Sequence, residues 1–193
     1  MKEEWMNWNG YEAYTPIGSG PSASLDRETA LLRYSDRINS KSERTEQLYS
    51  LVRANGGTID MSDEGVEKFE SWFRKEYERN PLDETRPSPN WISVTIDTAT
   101  FLGELLIERN PHLFWKFNIS ESLNSESASY QSAVIAGFKN GIPSDAEGID
   151  PDFEYIFDPD DRVGRFSFSL AKRGTDTWPN FFAKQIAVAS KRA

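Results

Sequence analysis

The chain has 193 residues, 13% of them aromatic and 27% charged, with a net charge of −9 and no cysteine. That length supports one domain with a substantial core. The missing thiols exclude disulfides, cysteine nucleophiles, zinc ribbons and iron–sulfur clusters. The negative charge argues against a nucleic-acid binder, whose affinity rests on neutralising phosphates with Lys and Arg.

Residues 1–23 hold Gly10, Pro16, Gly18, Gly20 and Pro21 among aromatics and read as an irregular N-terminal segment, followed by an α+β domain over residues 24–193. "GSGPS" at 18–22 lacks the preceding strand and following lysine of a phosphate-binding loop and reads as an open loop. "SLDRETALLRYSDRI" and "SERTEQLYSLVRANGG" read as two helices, the second stopped by its Gly-Gly pair. A third helix begins in "MSDEGVEKFESWFRKEYE", where Ser62 is the N-cap, Asp63 and Glu64 complement the dipole, and Val66, Phe69, Trp72, Phe73 and Tyr77 share a face. "NPLDETRPSPN" reads as a connection, ending in a Ser88–Pro89 pair that starts a fourth helix.

From there the period changes to two. "LFWKFNI", "AVIAGF", "FEYIFD" and "RFSFSL" alternate apolar with other residues and predict an antiparallel sheet of about four strands; "TWPNFFAKQIAVASKR" closes the chain as a helix with Pro179 in its first turn. The expected architecture is α+β, with N-terminal helices packed on the sheet and a C-terminal helix. No apolar run approaches the roughly 18 residues of a membrane span, and no signal peptide is evident, so the expected location is cytoplasmic.

Candidate chemistry concentrates near the fourth helix. On a helical wheel Asp97, Glu104 and Glu108 form a carboxylate stripe opposite an apolar arc containing Gly103. The stripe reads most simply as a solvated face, and Gly103 as a site of close approach by another element. The alternative is a hydrolase in which Asp97 and Glu104, two turns or about 10 Å apart, work as an acid–base pair with His112 or a divalent metal. His112 is the only histidine and falls in the turn after Pro111. No HExxH or G-x-S-x-G pattern accompanies it, so packing is favoured over catalysis. The acids of "DPDFEYIFDPDDRVG" miss the EF-hand pattern, since Arg162 falls at the fifth position counted from Asp158. Neither a metal nor a cofactor is expected.

Charge is distributed unevenly. Residues 141–161 carry eight acids and no base, and residues 162–193 seven bases and one acid. Asp145, Glu147, Asp150, Asp152, Asp158, Asp160 and Asp161 are therefore the candidate contacts for a basic protein partner, since such a field steers association. The order "FLGELLI", "NPHLFWKF", "AVIAGFKNG" over residues 91–141 resembles an arrangement in small uncharacterised bacterial domains, some of which are similar to immunity proteins that neutralise toxins. That resemblance implies a binding protein and carries no catalytic residue with it. The expected function is a cofactor-free, cytoplasmic protein-binding module, immunity-like or regulatory.

Overall fold

The computed structural model describes residues 6–119, 127–139, 155–174 and 177–193. Its architecture is α+β, with helices α1 (Arg27–Ala54), α2 (Asp63–Glu76), α3 (Pro89–Arg109), α4 (Pro159–Arg173) and α5 (Phe181–Ser190), and strands β1 (Arg79–Asn80), β2 (Asp83–Pro87), β3 (Phe114–Phe117) and β4 (Ala133–Ala136). α3 is the central element, packed against α1, α4 and α5. It is buried on nearly all sides, which takes in Trp91, Val94, Phe101, Leu102 and Leu105 and also Ser93, Thr95, Asp97, Thr98 and Thr100.

Caps define the helix starts. Asp26, Ser62, Ser88 and Asp158 each accept a hydrogen bond from the backbone N–H three residues on, satisfying a donor the helix itself cannot pair. The two helices expected before residue 55 form the single helix α1. No Gly or Pro interrupts it, and the hydroxyls of Ser35, Ser40 and Thr45 bond back to carbonyls three or four residues earlier instead of competing with the helix. The chain then turns at Asn55 and Gly56, whose φ of 69° is left-handed.

The expected connection at residues 80–90 contains a short antiparallel hairpin, β1–β2. Pro81 sits in its tight turn, and Pro87, which has no N–H to offer a ladder, ends β2. β3 and β4 pair antiparallel with Trp115 opposite Ile135, and a single bridge joins Ile135 to Phe157. Of the four strands expected in one sheet, two are therefore paired as strands and "FEYIFD" contributes one bridge. "RFSFSL" is not a strand: it lies inside α4, where Val163, Phe166, Ser167 and Leu170 are buried at spacings of three and four while Phe168 is exposed. The cause is the start signal upstream, an Asp158 cap followed by Pro159, Asp160 and Asp161, which nucleates a helix through residues whose apolar alternation suits either period.

An aromatic cluster fills the space between α2, α3, α4 and α5. Phe73 meets the Trp91 ring edge-on at 4.8 Å, and Phe69 packs against Trp72, Phe101 and Phe182. These geometries suit ring quadrupoles and add to the large apolar area each ring removes from water. Gly103 allows a second close approach, since a Cβ there would lie only 2.3 Å from Trp115 Cζ2. Phe73→Ala should lower unfolding free energy by about 3–5 kcal/mol. Gly103→Ala should lower it by about 1–3 kcal/mol despite the better helix propensity of Ala, because the added methyl collides with a ring. Urea titration checks both, and a Gly103→Ala variant as stable as the parent would show that Trp115 gives way freely.

Candidate functional site

The carboxylate stripe of α3 does not face solvent along its length. Asp97 is 1% exposed, Glu104 half-buried and Glu108 exposed. α1 crosses over the first two and supplies cations from residues 37, 41 and 44, which share one face at helical spacing. The Arg44 guanidinium grips Asp97 with two parallel bonds, Nε to Oδ1 at 3.0 Å and Nη2 to Oδ2 at 2.6 Å. Its Nη1 donates to the Glu12 carbonyl (2.7 Å) and the Gln47 side chain (3.1 Å), and Nη2 donates also to Ser93 Oγ (3.3 Å). Fork-to-fork geometry of this kind is the strongest an ion pair takes.

The N-terminal segment closes over this pair. The Tyr11 hydroxyl donates to Asp97, and Tyr14 N–H donates to Ser93 Oγ at 2.6 Å. Both rings lie beside the Arg44 guanidinium, 5.1 and 5.7 Å from its carbon. Burial pushes the Asp97 carboxyl above its ordinary range, against the Arg44 and Tyr11 hydrogen bonds that hold it down. Burial beside Asp97 raises the Tyr11 phenol as well, so it stays a hydrogen-bond donor. The "GSGPS" loop is tied down nearby, the Gly18 and Gly20 carbonyls and that of the preceding Ile17 accepting from Arg33 at 2.6–2.9 Å.

Glu104 takes Lys41 Nζ at 2.8 Å and the Trp115 indole N–H at 2.6 Å. Asp97 and Glu104 are thus each held by a separate cation in the α1–α3 seam. His112 lies apart from them, exposed in the turn before β3, with Nε2 3.1 Å from the Ala193 carbonyl oxygen. The structure does not bring Asp97, Glu104 and His112 into one constellation. Among the described residues, no three His, Cys, Asp or Glu side chains converge to hold a metal ion.

The docking candidates divide into two groups. Asp145, Glu147, Asp150 and Asp152 lie outside the described residues. Asp158, Asp160 and Asp161 open α4, and each has a structural partner: Asp158 caps the helix and is 7% exposed, Asp160 pairs with Arg37, and Asp161 pairs with Arg165 at 2.8 Å. Asp158 is thus too buried to be a contact surface. The loss of water around it, reinforced by the neighbouring Asp160 charge, pushes its carboxyl up to about 6.

One feature of the site escaped the sequence reading, the cleft where the loop before α5 meets α4. Arg162, Arg165, Trp178, Pro179, Phe181, Lys184 and Gln185 line its volume of about 410 Å³. The run of bases after residue 161 carried part of that signal, whereas Trp178 joins them only through the fold. Comparison with known proteins adds no identity, since neither a family model nor a curated protein nor a solved structure matches the chain.

Two outcomes test this geometry. Asp97→Asn leaves the buried Arg44 charge uncompensated and should destabilise the fold by about 3 kcal/mol or more, while Glu104→Gln in the half-buried Lys41 pair should cost about 1 kcal/mol or less. Chemical denaturation of both variants separates them. The raised Asp158 carboxyl favours the protonated form in the folded state, a contribution fully present below about pH 4 and lost as pH rises towards 6. Asp158→Asn keeps a capping oxygen without the charge, so it should flatten that decline and match or exceed the parent above pH 6. Thermal midpoints between pH 4 and 8 would show whether the two curves diverge in that direction.

Proposed function

We propose that the chain is a cytoplasmic, cofactor-free binding protein, immunity-like or regulatory, that meets a basic protein partner through its acidic segment. The observation that carries this reading is the charge distribution: −9 overall, with eight acids and no base across residues 141–161. A field of that sign accelerates encounter with a basic surface and repels nucleic acid. The resemblance of residues 91–141 to small bacterial domains agrees with such a role. No helix among the described residues is long and apolar enough to cross a membrane.

Asp158, Asp160 and Asp161 cap and brace α4, so the proposed docking charge rests on Asp145, Glu147, Asp150 and Asp152. The hydrolase alternative draws no support from the geometry, because the two carboxylates it needs are each neutralised by a cation of α1 and stand apart from His112.

Affinity capture from a bacterial lysate tests the proposal with the parent chain and an Asp145→Asn/Glu147→Gln/Asp150→Asn/Asp152→Asn variant. The parent should retain a basic protein at low ionic strength and release it at about 0.5 M salt, where charges are screened within a few ångströms. The neutralised variant should fail to retain it while keeping its thermal midpoint. Equal capture by both chains would remove the acidic segment from the interface.

A further inference from the structure

The loop between α4 and α5 presents Trp178 in an unusual way. Trp178 and Asn180 both occupy left-handed backbone, at φ 47° and 55°. Residues with a Cβ resist that region and persist there only where their surroundings hold them. The holder is Arg74 of α2, which donates to the Thr177 carbonyl at 2.6 Å and to the Trp178 carbonyl while paired with Glu70 at 2.6 Å. Glu70 in turn accepts the Phe182 N–H at 2.7 Å, tying the start of α5 to the same brace. Trp178 is therefore mounted on a fixed support.

The residue is nevertheless 39% exposed. One side stacks on Phe181 at 5.5 Å and 21°, and Phe181 stacks on the buried Phe166 at 4.9 Å and 2°. Around this ladder the cleft collects three cations. Arg165 shares its charge with Asp161 at 2.8 Å, Lys184 Nζ donates to the Pro179 carbonyl at 2.9 Å, and Arg162 is exposed with no carboxylate partner among the described residues. Asn180 gives the first turn of α5 no side-chain cap, and the Glu70 carboxylate that accepts the Phe182 N–H takes up the positive end of that helix, so the side-chain cations supply the field of the cleft.

We propose that this cleft binds a small planar aromatic anion, its ring stacked on Trp178 and its carboxylate or phosphate held by Arg162 and Lys184. The volume of about 410 Å³ falls within the usual range of small-molecule sites, and the lining pairs an apolar floor with a few polar groups at the rim. Charge selects a small ligand over an acidic protein. A chain of −9 repels an extended acidic surface as a whole, whereas one anionic group within about 8 Å of the rim senses chiefly the local cations.

The test uses the full chain labelled with ¹⁵N and titrated with 1-naphthoate, phenyl phosphate, uncharged 1-naphthamide and a short Asp-Trp-Asp peptide. Trp178→Phe removes one indole resonance and so assigns it while keeping an aromatic ring. The two small anions should move that resonance saturably, and naphthamide should bind about tenfold or more weakly, one factor of ten being the scale of a single charge-assisted contact. Arg162→Gln/Lys184→Gln, two changes on exposed side chains, should weaken naphthoate by about tenfold or more with the folded spectrum intact. Equal binding of naphthoate and naphthamide would overturn the anion assignment. Binding of the peptide alone would reassign the cleft to an acidic protein, and no saturable shift of the Trp178 resonance by about 10 mM ligand would remove the site.

Discussion

The Arg44–Asp97 pair constrains the rest of the structure because neither group can stay buried without the other. An ionised carboxylate removed from water costs several kcal/mol, and only a fork of hydrogen bonds from a matching cation offsets that cost. α1 must therefore cross α3 where Arg44 meets Asp97, and that crossing brings Lys41 to Glu104 and Arg37 to Thr100 and Asp160. Apolar residues can slide past one another by a turn at modest cost. A row of charge pairs cannot, so this seam sets the register of the two longest helices in the described chain. The N-terminal segment follows from the same need, since the Tyr11 hydroxyl and the Glu12 carbonyl complete the hydrogen bonding of the pair and the Tyr14 ring lies beside Arg44.

The other side of α3 is held by different physics. Trp91 and Phe101 enter the aromatic cluster of Phe69, Phe73, Phe166 and Phe182, where shape and area decide the packing. A polar thread crosses that cluster, from Glu70 on α2 to the first turn of α5 and through Arg74 to the loop before it. Arg74 also lies over the Phe166 ring at 4.6 Å. One guanidinium thus joins α2, α4 and the α5 loop, and the left-handed backbone at Trp178 can be sustained because that junction is rigid.

Local signals proved legible in the sequence, and long-range pairing did not. The Ser62 and Ser88 caps, the Pro89 start and the close approach at Gly103 all lie where local chemistry placed them. Each depends on residues within one turn or on the absence of a side chain. Asp97 illustrates the opposite case. A helical wheel groups it with Glu104 and Glu108, but whether that side meets water depends on three cations 53 or more residues away. Periodicity contains no such information, so a carboxylate row reads as a solvated face. "RFSFSL" failed for another reason: Phe166 and Leu170 are in phase for both strand and helix, and the deciding evidence was the Asp158–Pro159 start seven residues upstream of Phe166 or more.

The abrupt change from acidic to basic chain at residue 161 has a structural meaning that its linear form conceals. Asp160 reaches back to Arg37, and Asp161 reaches forward one turn to Arg165, so the last acids of the run are paired with cations of the same chain. Asp158, buried beside them, is kept by its capping role and is destabilised by their charge. These three residues begin a helix that the α1 cations would otherwise have no reason to meet. A run of like charges therefore need not act as one surface: where it enters a helix N-terminus it is consumed by caps, dipole and ion pairs, and only charges outside that turn remain to face a partner. The same accounting applies to the bases, because Arg165 is discounted by Asp161 while Arg162 is not. Net charge alone locates neither proposed site, and the local imbalance left after these pairs are removed is what a ligand or a partner would meet.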